Sequence, residues 1–422
     1  MKSLTNFIIF LCAQNFSVIA FRFFQLLLAW VTLSETHSGY TLGVIVTISW
    51  VANIICLPFS GYFLDRYKKG VVVFLANLIS LILILVFYIN LVYYAYNIMI
   101  VVLITIILSV ADSVLLSSPN TIIPFIVEKE RLSKFTGFWA TLASLQTIIG
   151  ALVGGGTIAL VGNQISILII AILYLIALLF SFLLMRNKLL LHASMVKGQK
   201  FYMQLLKGFS VLVKLTPERS LCCVGMTVNF VMTPLLMILL PVYIKIFLNL
   251  PIIYLAIMEI CFGLGLLITS PFVGKLLSNN VKRLSLILMG NSLTAVSIML
   301  FPIAGPLYFK LILLFLIGSG LALNNVSTSS LRALAVPDYI RGRLESAIYF
   351  FCILTIPIGS YIFGLFSQTT QSQHITVIMV IMGAMILISL LFILLSPLTC
   401  KTLSRKDKHL KDYYKDKFAN IL

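Results

Sequence analysis

Long apolar runs separated by short polar clusters dominate the chain. Reading each run out to its flanking polar break predicts twelve helical spans, at about 6–33, 40–64, 71–91, 98–126, 136–160, 165–185, 220–247, 252–276, 284–303, 308–335, 345–366 and 375–397. About 20 apolar residues at a rise of 1.5 Å cross the hydrocarbon layer of a bilayer, so each run is a candidate membrane helix.

Composition makes the same point. Of 422 residues, 61% are apolar and only 10% are charged, whereas a soluble domain is about half apolar and about a quarter charged. These figures exclude a soluble enzyme with a single anchor, a secreted disulfide scaffold and a disordered chain. The first run is too long for a signal-peptide core and contains Arg22, so it reads as a retained helix.

The net charge of +18 could suggest nucleic acid, but its distribution points to a bilayer. With the N-terminus inside, inner segments hold Lys2; Arg66, Lys68 and Lys69; Lys129, Arg131 and Lys134; seven cations from Arg186 to Arg219; Lys275, Lys282 and Arg283; Arg341 and Arg343; and seven from Lys401 to Lys417, or 26 of the 30. Outer segments hold only Lys245 and Lys310, and Arg332 near the inner end of its span is expected to snorkel. The positive-inside rule then places both termini in the cytoplasm.

The seven cysteines show no CxxC spacing and read as small hydrophobes. His37, His192, His374 and His409 fall in loops or the tail, so a buried histidine metal site or catalytic site is unsupported and no cofactor is implied.

The longest polar interval, 186–219, separates six spans from six. The expected organisation is an N-terminal six-helix bundle over 1–185, a cytoplasmic linker over 186–219, a C-terminal bundle over 220–397 and a basic tail over 398–422. Within the linker, Lys200, Lys207 and Lys214 recur every seven residues beside Phe201, Leu205, Leu206, Phe209, Leu212 and Val213, the pattern of a basic amphipathic helix. It suits either the anionic inner leaflet or a partner.

The halves also repeat in register. Gly61 and Gly274 are 213 apart, as are Pro124 and Pro337, while Asn15-Phe16 and Asn229-Phe230 are 214 apart. Since six is even, a duplication makes parallel repeats with a cavity between them.

Three segments resemble the major facilitator superfamily, and nearly the whole chain resembles its macrolide-efflux-type drug/proton antiporter branch. Gly61-x-x-x-Asp65-Arg66-x-Lys68-Lys69-Gly70 is similar to the signature between spans 2 and 3, with Lys68 in place of a glycine. The resemblance makes Gly61, Asp65, Arg66 and Lys69 a cytoplasmic gate motif. A plain positive-inside anchor would account for the cations alone. In span 5, Gly150, Gly154 and Gly155 resemble the antiporter glycine signature, with Ala151 where that signature has proline. Generic small-residue packing is the alternative. Asp112 to Pro124, followed by Glu130-Arg131-Leu132, and Pro337 to Arg343 resemble spans 4 and 10 of the branch.

Ionisable residues inside spans are costly and are functional candidates by default. Three qualify: Arg22, Asp112 and Glu259. The superfamily lines its cavity with spans 1, 4, 7 and 10, so the resemblance places Arg22 and Asp112 there, with Gln14, Asn15, Gln25, Asn229, Asn324 and Asn325 as polar lining. Burial disfavours the charged form of a carboxylate, which makes Asp112 and Glu259 candidates for proton coupling. Arg22 would serve as counter-charge or as anchor for an anionic substrate. A structural ion pair is the competing reading, and span ends placed to within about 6 Å leave any pairing open.

The resemblance implies a non-enzymatic secondary transporter of the major facilitator fold in a bacterial cytoplasmic (inner) membrane. Its partners would be a small-molecule substrate, protons and anionic inner-leaflet lipid, with no nucleic acid, and it would act as a monomer. Proton-coupled efflux of drug-like molecules leads; export of an endogenous metabolite such as a siderophore, or proton-coupled nutrient import, remain alternatives.

Overall fold

A computed structural model describes residues 2–94, 96–127, 132–186, 201–279, 281–367, 372–406, 409–410 and 413–417. Every regular element among them is helical: α1 (Lys2–Thr36), α2 (Gly39–Arg66), α3 (Lys69–Tyr93), α4 (Ile98–Ile126), α5 (Leu132–Met185), α6 (Phe201–Lys214), α7 (Thr216–Pro234), α8 (Leu240–Val242), α9 (Ile252–Ser278), α10 (Arg283–Leu300), α11 (Leu307–Ala335), α12 (Asp338–Phe366), α13 (Ser372–Ser389), α14 (Leu391–Leu394), α15 (Pro397–Leu403) and α16 (Tyr413–Lys417).

Local chemistry sets several helix ends. Ser38 caps α2 by accepting from the Thr41 N–H at 3.3 Å, and Asn97 caps α4 by accepting from the Met99 N–H at 2.9 Å. Pro306 and Pro337, which have no N–H to lose, precede α11 and α12. The 54-residue α5 is broken at Gly162, where φ is 77° and ψ is 178°, a conformation open essentially to glycine alone. The sequence-derived spans at 136–160 and 165–185 are the two arms of this one element.

A second irregularity was not visible as a polar break. Leu235–Leu239 and Tyr243–Phe247 are π-helical and flank α8. Pro234 and Pro241, seven residues apart, cannot donate to the preceding turn and crowd its carbonyls, which is a sufficient physical cause for the altered winding.

Eleven helical segments among the described residues are long and apolar enough to cross a membrane. Their packing has the polarity of a bilayer protein. On α3, Leu75, Ile79, Ile82, Val86 and Ile89 follow three- and four-residue spacing and are all exposed, while Asn77 and Ser80 on the opposite face are fully buried. Such an arrangement would be unfavourable in water; in lipid it leaves the hydrocarbon side apolar and lets polar groups pair internally.

The chain divides into two compact units, Met1–Lys197 with Leu240–Ile257, and Gly198–Leu239 with Met258–Leu422. In the first, α1 and α3 pack on α5 while α2 packs on α4, around a core that includes Phe7, Phe10, Leu64, Leu115, Ile122 and Leu184. In the second, α10 packs on α11 and α13, and α12 packs on α7 and α6. Phe209 of α6 meets the rings of Phe350 and Phe351 at 5.6 and 5.1 Å. Part of the apolar stripe read from the sequence therefore lies against α12, though the side chains of residues 201–207 lie outside the described residues.

Candidate functional site

The interior of the first unit holds a polar cluster around Asp112. This half-buried acid lies midway along α4, and Asn53 of α2 donates from Nδ2 to Asp112 Oδ2 and to the Ser109 carbonyl, both at 3.4 Å. Arg22 of α1 and Tyr174 of α5 lie within electrostatic reach of the carboxyl group, and Tyr174 also pairs with Ser80. Nearby, Ser17 Oγ donates to Asn77 Oδ1 at 2.6 Å. The sequence reading contained Asp112 and Arg22 but not Asn53, Tyr174, Ser80 or Asn77; polar residues within otherwise apolar runs were the available signal.

The remaining predicted residues divide by environment. Arg22 is exposed and donates to Gln25 Oε1 at 2.9 Å. Gln14 is buried, donating to the Leu115 carbonyl at 2.7 Å and accepting from Ser118 Oγ at 3.1 Å, so both ends of its amide bind α1 to α4. Asn15 donates to the Leu11 carbonyl and accepts from Gln146 Nε2 at 2.5 Å. In the second unit, Asn229 donates to the Gly225 carbonyl at 2.9 Å, and Asn324 accepts from the buried Asn291 at 3.1 Å while Asn325 is exposed. Glu259 is half-buried on α9.

Asn77 and Asn291 are 214 residues apart, fully buried on α3 and α10, and each donates to the carbonyl four residues earlier. The first residues of those helices, Lys69 and Arg283, are also 214 apart and only 1% exposed each. The repeat thus extends into the buried polar positions.

Two basic residues differ from their sequence expectation. Lys69, read with Arg66 and Lys68 as part of a surface cluster, is buried, and its Nζ donates to the Leu64 carbonyl at 2.8 Å, where a cation complements the C-terminal end of α2. Arg66 is exposed at the α2 terminus, and the surroundings of Gly61 and the side chain of Asp65 lie outside what is described. Arg332 does not snorkel: its Nε is 2.9 Å from Glu218 Oε2, an acid with no exposure. Tyr414 Oη donates to the other oxygen, Oε1, at 3.0 Å.

The span-5 glycines are close-approach points. A Cβ at Gly150 would lie 2.8 Å from Arg22 Cβ, at Gly154 3.0 Å from Leu26, and at Gly155 2.1 Å from Ala256 Cβ. About one turn beyond Leu26 on α1, Lys245 Nζ sits 4.0 Å from the Trp30 ring centroid and donates to Ser34 Oγ at 2.8 Å.

The second unit contains a cavity of about 270 Å³ lined by Cys223, Met226, Thr227, Phe230, Thr355, Met385 and Phe392. Its lining suits an apolar or aromatic group, with two threonine hydroxyls for orientation.

An all-helical chain with lipid-facing apolar stripes and buried polar pairs is a multi-pass membrane protein. The family model described as Major Facilitator Superfamily matches residues 10–351, and the chain belongs to that family of membrane transporters, which are not enzymes. It is 24% identical over 371 residues to "Macrolide efflux protein A" of Streptococcus pyogenes, covering 86% of this chain and 89% of that protein. Among solved structures, a bacterial homologue of the human lysosomal transporter Spinster, inward-facing and unoccupied, aligns at TM-score 0.75 and 11% identity over 95% of this chain and 98% of that one. The nucleoside transporter NupG aligns at TM-score 0.70 and 15% identity over 91% and 98%. These likenesses establish the major facilitator fold.

Proposed function

We propose that the protein is a proton-coupled exporter of amphipathic, drug-like small molecules, working by alternating access. Asp112 is the proton-carrying acid of the first unit and Glu259 a second coupling acid, with Arg22 as counter-charge. Gln25, Asn15, Asn229, Asn324 and Asn325 contribute polar groups to the substrate path, and Gln14 holds α1 against α4. The observation that carries this reading is Asp112, an acid midway along an apolar helix and surrounded by polar partners, in a chain alignable with a macrolide efflux protein over 86% of its length.

The chain crosses the membrane twelve times, with α5 counted as two, and divides into a bundle over 1–185, a linker over 186–219, a bundle over 220–397 and a tail over 398–422. Gly61, Asp65, Arg66 and Lys69 act at a cytoplasmic gate, and Gly150, Gly154 and Gly155 form the sealing face of α5. The protein acts as a monomer, with its basic inner segments against anionic lipid.

The test is purified protein in proteoliposomes with an imposed pH gradient and a labelled macrolide. Gradient-dependent macrolide movement supports the proposal. Absence of movement for a macrolide and a panel of amphipathic cations contradicts drug efflux. Accumulation of an endogenous anionic metabolite inside a deletion strain would favour the metabolite-export alternative.

A further inference from the structure

Asn53 donates one hydrogen bond to Asp112 and keeps a second polar atom unused. It is 6% exposed, and its Nδ2 is shared between Asp112 Oδ2 and the Ser109 carbonyl, each at 3.4 Å and so longer than a usual N–H···O bond. Among the described residues, Asn53 Oδ1 has no hydrogen-bond partner. A buried amide oxygen left unpaired is destabilising, so its place beside an ionisable carboxyl needs a reason. An ionised carboxylate can only accept hydrogen bonds, whereas a protonated one carries an O–H donor. Only the second state can satisfy Asn53 Oδ1.

We propose that Asn53 is the positioning residue of the Asp112 proton site, its amide serving both charge states: Nδ2 donates to the carboxylate, and Oδ1 accepts the O–H of the carboxylic acid. The inference rests on the reading of Asp112 as a proton carrier. One O–H bond forms when a proton arrives from the aqueous phase and breaks when it leaves, and rotation of the amide about χ2 exchanges the two partners. The long, divided Nδ2 contact suits such rotation, because neither bond holds the amide firmly. The other titratable groups acting on Asp112 are Arg22 from α1 and Tyr174 from α5. The uncharged Asn77 and Ser80 are contributed by α3.

The experiment is an infrared-detected pH titration of the reconstituted full-length protein without substrate, following the carboxylic-acid band that Asp112→Asn removes. Asn53→Leu, close in volume but without an amide, and Asn53→Ala as a second variant are expected to move the midpoint of that band by about one pH unit toward alkaline pH. Loss of a donor to the charged form outweighs loss of an acceptor for the neutral form. Asn53→Gln restores the midpoint at least in part. Ser49→Ala, which removes only the neighbouring 2.7 Å contact between Ser49 and Ser109, leaves it in place. An unchanged midpoint in both Asn53→Leu and Asn53→Ala overturns the inference while leaving Asp112 as a proton carrier. A protein with no Asp112-dependent band overturns both.

Discussion

Arg332 of α11 and Glu218 of α7 form a buried ion pair at 2.9 Å, with the acid fully enclosed and the arginine side chain 15% exposed. Such a pair is expensive to break from one side, because the surviving charge stays desolvated; removing one partner of a buried pair costs about 3–5 kcal/mol. Glu218→Gln and Arg332→Ala should each lower the thermal midpoint of the detergent-solubilised protein sharply. The double replacement Glu218→Leu with Arg332→Met should recover much of the loss. Single variants that melt at the wild-type midpoint would show that the pair contributes little.

The same acid anchors the C-terminal tail. Tyr414 donates to Glu218 Oε1, Thr399 Oγ1 contacts Ser220 Oγ at 3.2 Å, Leu403 and Leu410 are fully buried, and the Arg405 guanidinium sits 4.4 Å over the Tyr413 ring. Burial first, and the negative Glu218 next, hold the Tyr414 phenol well above its ordinary pKa of 10.0. The sign follows: the contribution of a group with a raised folded-state value is present in full below the unfolded pKa and is lost as pH rises through the folded one. Tail docking should therefore be insensitive to pH through the neutral range and fail only in strong alkali. Tyr414→Phe should remove one late-titrating phenolate from the ultraviolet difference spectrum and destabilise the protein by about 1.5–3 kcal/mol, the value of a hydrogen bond to a charged group.

At Gly155 any side chain meets Ala256. Overpacking of this kind costs about 1–3 kcal/mol, so Gly155→Ala should lower stability and transport together, measured as thermal midpoint and initial rate. Adding Ala256→Gly should restore both, whereas adding Leu26→Ala, which faces Gly154 instead, should not.

Lys245 holds Trp30 and Ser34 through its single ammonium group. Lys245→Met retains the apolar stem and removes the cation–π contact and the hydrogen bond, a loss of about 1–2 kcal/mol. With Trp50 and Trp139 replaced by Phe, Trp30 emission should change in intensity and wavelength on this substitution, and an unchanged spectrum would contradict the contact.

How far the chain can be read without coordinates depends on which forces act locally. Span positions were legible because the bilayer imposes a fixed apolar length, and the Gly162 break fell where the polar interruption between 160 and 165 indicated. The π-helical turns were not found, since Pro234 and Pro241 interrupt backbone bonding without interrupting apolarity. Asp112 and Arg22 stood out as charges in apolar runs, but their neighbours depend on helix rotation, to which a depth estimate is blind. Asn53 therefore went unread although it lies in span 2. Glu218 was assigned to the linker by its charge, and only packing shows that Arg332 and Tyr414 enclose it. Lys69 was misplaced at the surface for a similar reason: its sign matched the inner leaflet, while its partner is a helix-end carbonyl.

The most direct test of proton-coupled export separates coupling from binding. Proteoliposomes containing the wild-type protein, Asp112→Asn, Glu259→Gln or the double variant are assayed with a labelled macrolide in two modes, accumulation driven by a pH gradient and exchange without a gradient. The account predicts that at least one acid variant loses at least about tenfold in gradient-driven accumulation while still catalysing exchange. Intact gradient-driven accumulation in all three variants would contradict it.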